Sequence, residues 1–216
     1  KIINFSDKKI IKKIINKKRS SSKKEYYQNF LLKKVFDNNS LKNVNYDGVS
    51  INTKTIKKNN LFFAICGKKI DGHKFVKEAV RKGAIKSIVS KKIKKLSSNK
   101  IIKVKNTFSS LNNLAKVTRD NSSAKIVGIT GSVGKTTLKN LLSFSLKNYG
   151  KVYSSPHSYN NKFGVPLSLS NLKSNIDYGV FEIGMDKKGE IDNLSKIVKP
   201  EIAIITNISG AHFKNF

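Results

Sequence analysis

Along the chain, short apolar runs alternate with longer segments of helical period, and a change in that pattern divides the sequence in two. Between residues 44 and 105 the runs "GVSI", "LFFAI", "KSIVS" and "KIIKV" have the length and β-branched character of strands. They surround one helical stretch, "HKFVKEAVRKGA", in which Phe75, Val76, Ala79 and Val80 share a face. A second helix is expected from Phe108 to Arg119, followed by a polar hinge, "DNSSAK". Beyond the hinge come a strand "KIVGIT", a glycine-rich loop, a helix over 135–149, strands at "KVYS" and "YGVFEIG", a helix "GEIDNLSKIV" and a strand "EIAIITN". Apolar strands alternating with helices define an α/β fold: a small mixed α/β unit, then part of a mostly parallel, doubly wound sheet. The expected domains are 44–121 and 122–216, with residues 1–43 unassigned.

Three features of the N-terminal half bear on location. In "DKKIIKKIINKK", Ile10, Ile11, Ile14 and Ile15 fall on one helical face among lysines. Such a helix either packs on its own domain or touches a membrane surface. The longest apolar run, "LFFAIC" at 61–66, is far short of the roughly 20 residues that span a bilayer. A single cysteine, Cys66, forms no intrachain disulfide and fits a reducing, cytoplasmic compartment.

Charge changes the picture less than its size suggests. The net charge of +31 points by itself to a polyanionic partner. Yet only Arg19, Arg81 and Arg119 among the 44 basic residues are arginines, and the lysines are spread over both halves among many Asn and Ile. An even spread of lysine reads as a compositional habit as much as a binding stripe, and the bidentate readers of bases and phosphates are mostly arginines. A nucleotide-switched RNA-binding module remains the alternative from a different functional class; it lacks an aromatic-rich RNA-reading motif.

The chemistry concentrates after residue 125. "GITGSVGKTT", 128–137, joins an apolar strand to a helix through Gly131 and Gly134, with Lys135, Thr136 and Thr137 directly after. The common phosphate loop has its first glycine five positions before Gly134, where Ile129 stands, so this loop is one residue short. Glycines let backbone N–H groups curl round an anion, and the helix N-terminus adds partial positive charge. The reading is a nucleotide-phosphate loop made of Thr130, Gly131, Ser132, Val133, Gly134, Lys135, Thr136 and Thr137, against the plain alternative of a glycine turn opening a helix. Lys135 would reach the β- and γ-phosphates and the Thr136 hydroxyl would ligate Mg²⁺. Glu182 interrupts an apolar strand near its C-terminal end, the edge where open α/β sheets bind ligands. It is either a lysine's salt-bridge partner or a Mg²⁺ ligand. His212 follows another strand end and is a surface residue or a partner in the same crevice. Asn160 and Asn161 have the character of turn residues, and Asp71 that of a cap for the helix at His73.

Taken in order, these segments resemble the Mur ligase family. "TGSVGKTT" is similar to its Thr-Gly-x-x-Gly-Lys-Thr loop, "SYNNKFGVPLSL" to its Asn-Asn-x-x-Gly-Val-Pro-Leu segment, and "FEIGMDKKGEI" to its Glu-x-Gly…Gly-Glu-Ile segment. "PEIAIITNISGAHFKNF" resembles its Pro…Thr-Asn-Ile…Ala-His segment, and the region from Gly48 to Ala84 its nucleotide-sugar domain. The resemblance implies an ATP- and Mg²⁺-dependent, amide-forming enzyme of peptidoglycan precursor synthesis. Its substrates would be a UDP-muramyl-peptide and D-alanyl-D-alanine, with a sibling that adds another amino acid as the alternative. It also implies catalytic roles for Lys135, Glu182 and His212, a metal site at Thr136, Glu182 and His212, and substrate contacts at Asn160, Asn161, Asp71 and His73. Where the family shows Asp-Ser-Arg this chain has Asn52, Thr53 and Lys54, which keep a hydroxyl and a cation but lose a carboxylate and a guanidinium. The chain begins at Lys1, and the family continues past the histidine to a further lysine and a C-terminal domain. We therefore expect a partial, monomeric chain that does not ligate by itself.

Overall fold

The computed structural model describes residues 20–36, 44–67 and 69–209. The expected helix around Ile10–Ile15 and the candidate ligand His212 lie outside these residues. Two four-stranded, wholly parallel sheets form the frame. The first runs β1 (Gly48–Ser50), β2 (Asn60–Phe63), β3 (Lys86–Val89) and β4 (Ile101–Lys103) in sequence order. The second orders its strands β6 (Val152–Ser154), β7 (Tyr178–Glu182), β5 (Lys125–Thr130) and β8 (Ile202–Ile205). The four strand runs expected in the first unit all appear, although the sheet is parallel throughout.

Alternation along β2 splits the first core. Leu61 and Phe63 face helix α1 (Ser20–Val35) and helix α3 (Thr107–Asp120), while Phe62 and Ala64 face helix α2 (Val76–Arg81). A strand puts successive side chains on opposite faces, so a fully buried strand reads as a continuous apolar run rather than an alternating one. Val76 and Ala79 are buried on α2 as expected, whereas Phe75 sits in a preceding 3₁₀ turn and is exposed. Helix α1 brings Tyr27, Leu31 and Leu32 into the first core, joined by Phe36 just after it, and Gln28 pairs with the backbone of Tyr46 from both ends of its amide. The N-terminal segment is therefore structural in part, which its sequence did not reveal.

The second core repeats the scheme. Ile126 and Phe181 face helices α5 (Gly164–Ser170) and α6 (Glu190–Val198). Val127, Ile129 and Val180 face helix α4 (Lys135–Leu146) through Leu138, Leu142 and Leu146. Helix α4 stops before the expected residue 149, and Leu141 and Tyr149 are exposed rather than part of its packed face. Helix α3 packs into both cores, with Leu111 and Leu114 in one and Ala115 in the other. Asn171 adds a polar stitch, accepting from the Val49 amide at 2.8 Å and donating to its carbonyl at 3.0 Å. Arg119, at the end of α3, is buried and donates to the carbonyls of Val198 and Lys199 and to Glu201. One of the chain's three arginines thus has a structural task.

Candidate nucleotide site

The second sheet sets the site. β5 lies between β7 and β8, and the chain leaves it toward β6 on one side and later returns to β8 on the other. Ligands bind at such a reversal, outside the C-terminal ends of the strands. Three groups converge there: the loop after β5, the end of β7, and the segment after β8.

Loop geometry follows from its glycines. Gly131 has φ +133° and Gly134 φ +85°, values that side-chain-bearing residues rarely adopt. A Cβ on Gly131 would stand 2.1 Å from Thr206 Oγ1, so glycine here is also a packing requirement. Gly134 caps α4 in the left-handed conformation and frees the first helical turn to face the crevice. The segment after β8 braces the loop from outside. The Ser132 amide donates to the Asn207 carbonyl at 3.0 Å and the Val133 amide to Asn207 Oδ1 at 2.9 Å. Thr206 Oγ1 donates to the Val133 carbonyl at 2.6 Å. Lys135 curls back over the loop, its Nζ donating to the carbonyls of Gly131 at 2.6 Å and Ser132 at 3.2 Å.

Across from the loop stands Glu182, 1% exposed at the end of β7. Its Oε2 accepts from the Thr136 hydroxyl at 2.8 Å, and its Oε1 accepts from Asn160 Nδ2 at 2.8 Å. Lys139 Nζ lies 3.6 Å from Oε2. The paired asparagines divide their work. Asn160 reaches Glu182, whereas Asn161 Oδ1 accepts from the amides of Phe163 and Gly164 at 3.0 Å each and so makes the turn into α5. Gly184 permits the first contact, since a Cβ there would stand 2.8 Å from Asn160 Cγ. Glu190, in the Gly-Glu-Ile segment, is turned to its own loop: the amides of Asp186 and Lys187 hold its carboxyl below the usual carboxylate range. Beside the loop opens a cavity of about 260 Å³, lined by Lys135 and Ser132 together with Met185, Ile191, Ile205 and Ile208.

Among the described residues no three His, Cys, Asp or Glu side chains cluster for a metal. A carboxylate and a hydroxyl oxygen in contact beside a phosphate loop nevertheless suit Mg²⁺, which takes few protein ligands and completes its shell with phosphate and water. Thr136 and Glu182 would hold it.

The residues expected to bind substrate in the first unit are not gathered at this site. Asp71 caps the 3₁₀ turn by accepting from the His73 amide at 3.0 Å, as its sequence position suggested. His73 is no surface residue; it is 8% exposed. The Ser90 amide donates to its Nε2 at 2.9 Å, which places the ring proton on Nδ1, facing Asp71 Oδ1 at 2.6 Å. Both ring nitrogens are thus used within the domain. The Lys91 ammonium, joined by the bonds from His73, holds the Asp71 carboxyl well below the usual carboxylate range. Asn52 makes a local turn, accepting from the Lys54 amide at 2.9 Å; Thr53 is buried and Lys54 is exposed.

Sheet topology, shortened loop and facing carboxylate define a nucleotide-binding protein of the P-loop type. The family model described as "Mur ligase middle domain" matches residues 129–216, and that described as "Mur ligase family, catalytic domain" matches residues 45–122. The chain belongs to the Mur ligase family. The UDP-N-acetylmuramoyl-tripeptide--D-alanyl-D-alanine ligase of Rickettsia prowazekii is 42% identical over 80% of this chain and 38% of its own length. That of Bacillus subtilis is 33% identical over 78% and 37%. Among solved structures, MurF from Acinetobacter baumannii superposes with TM-score 0.70 at 32% identity, covering 80% of this chain and 38% of that one. MurF ligase from Thermotoga maritima in complex with ADP gives 0.65 at 36% identity, covering 76% and 38%. The chain thus spans less than two fifths of the length of the relatives it matches.

Proposed function

We propose that the protein acts in joining D-alanyl-D-alanine to a UDP-N-acetylmuramoyl-tripeptide at the expense of ATP, with this chain supplying the phosphate-binding site. The observation that carries the reading is the contact between Thr136, directly after the loop lysine, and Glu182 at the strand end facing it. Relatives sharing a third or more of their aligned residues carry that activity in their names.

In this reaction a substrate carboxylate oxygen attacks the γ-phosphorus of ATP, ADP departs, and an acyl phosphate forms. The amine of D-alanyl-D-alanine then attacks the acyl carbon, loses a proton, and inorganic phosphate leaves. Little covalent chemistry falls to the protein, so positioning and charge stabilisation dominate. Lys135 exchanges its bonds to the Gly131 and Ser132 carbonyls for phosphate oxygens. The amides at the start of α4 point at the same anion. Mg²⁺ held at Thr136 and Glu182 would neutralise charge on the phosphates. Asn160 keeps the Glu182 carboxylate aimed at the loop. The UDP-sugar falls to the first unit, with Asn52, Thr53 and Lys54 as candidate contacts and Asp71 and His73 as the bracing of their domain.

Offering the complete gene product UDP-muramyl-tripeptide and ATP with competing acceptors tests the assignment. D-alanyl-D-alanine should support phosphate release; release with a single amino acid in its place would reassign the protein to a sibling activity.

A further inference from the structure

Lys139 stands one turn after Lys135 on α4, and the other lysines whose exposure is described are exposed or half-buried. Its side chain is 2% exposed, as is that of Glu182. Lysine is almost never buried so completely without partners, because an ammonium loses its hydration. Here it has partners on two sides: Nζ donates to the Ser155 carbonyl at 2.9 Å and to the His157 carbonyl, and it forms an ion pair with Glu182, 3.6 Å from Oε2. His157 holds φ at +45°, a left-handed conformation uncommon outside glycine, in the turn that presents its carbonyl to Lys139. Ser155 closes the circle, since its Oγ accepts from the Glu182 amide at 3.2 Å.

We propose that Lys139 is a positioning residue for the cation site: it ties α4 and the turn after β6 to the end of β7 and fixes Glu182 against Thr136. Lys139 is not among the residues lining the cavity beside the loop, and its ammonium meets the Ser155 and His157 carbonyls and Glu182, so it acts through Glu182. The ammonium offsets the buried carboxylate while the carbonyls of Ser155 and His157 hold the ammonium off to one side. Glu182 Oε2 therefore stays turned to the Thr136 hydroxyl, where a cation arriving with the nucleotide meets both oxygens. The inference rests on the ATP reading.

Its test is ATP binding by the full chain with Mg²⁺ and with EDTA, together with thermal unfolding without metal. Lys139→Met should weaken Mg²⁺-ATP binding by about 10- to 100-fold, as for other groups that orient a metal ligand, and leave ATP binding in EDTA nearly unchanged. Equal loss in both conditions, or none, would overturn the proposal. If the wild-type chain binds no ATP at all, the functional reading fails instead. Unfolding keeps the question decidable where Lys139→Met folds poorly. Lys139→Met and Glu182→Gln each strand one partner of a buried pair, so the double variant should melt above both single variants. Losses that simply add would show that the two side chains are not coupled.

Discussion

Thr136 and Glu182, 46 positions apart in sequence, are joined by a 2.8 Å hydrogen bond from hydroxyl to carboxylate. The contact links the start of α4 to the end of β7 and sets a carboxylate and a hydroxyl oxygen beside the glycine-rich loop, where the proposed cation would sit. Replacing Glu182 by Ala should remove most of the benefit of Mg²⁺ for ATP binding, on the order of tenfold or more, as loss of groups around a metal generally does. Titrating the variant with ATP at rising Mg²⁺ checks this; an unchanged Mg²⁺ dependence would remove Glu182 from the cation site.

Gly131→Ala probes the brace on the loop. The added methyl meets Thr206 Oγ1 at 2.1 Å on a backbone at φ +133°. Strain of this kind costs about 1–3 kcal/mol, so the variant should melt several degrees lower and lose nucleotide affinity together. Wild-type values for both would show that the Thr206–Asn207 segment does not hold the loop.

Helix α1 should be integral to the first unit. Leu32 is completely buried among Leu61, Phe63 and Leu111 in the first core. Truncation to Ala is expected to cost about 2–5 kcal/mol, read from denaturant unfolding. A cost near zero would mean that the helix does not pack there.

Acid should loosen the first unit through Asp71. Its carboxyl is held down chiefly by the Lys91 ammonium and then by His73. A depressed folded value contributes stability that is fully present above the unfolded value, about 3.9, and drains away as pH falls through the folded one. Stability should therefore decline below about pH 4, and Asp71→Asn should flatten that limb. An acid limb of the same slope in Asp71→Asn would assign the sensitivity elsewhere.

Local signals in the sequence were enough for the strands, helix α3 and the phosphate loop, because strand runs, helical period and glycine spacing are written within a few residues. Helix α5 escaped for a physical reason: every residue from Gly164 to Ser170 is buried, so no polar face marks its period. Leu141 and Tyr149 show the opposite case: they fall at helical spacing with Leu138, Leu142 and Leu146 and yet are exposed, since an apolar residue at that spacing need not be covered. At the site, Lys135, Thr136 and Glu182 were legible from motif and strand position. Lys139 was hidden among many lysines, and only the fold shows that it is buried against Glu182. Asn160 and Asn161 look alike in sequence and were separated only by the turn that sends one to a carboxylate and the other to backbone amides.

The most direct test is phosphate release by the complete gene product given ATP, Mg²⁺, UDP-muramyl-tripeptide and D-alanyl-D-alanine, compared with its Lys135→Ala variant. Release that requires both substrates and vanishes in a folded Lys135→Ala variant is the predicted result; undiminished release in that variant would contradict the role assigned to the loop.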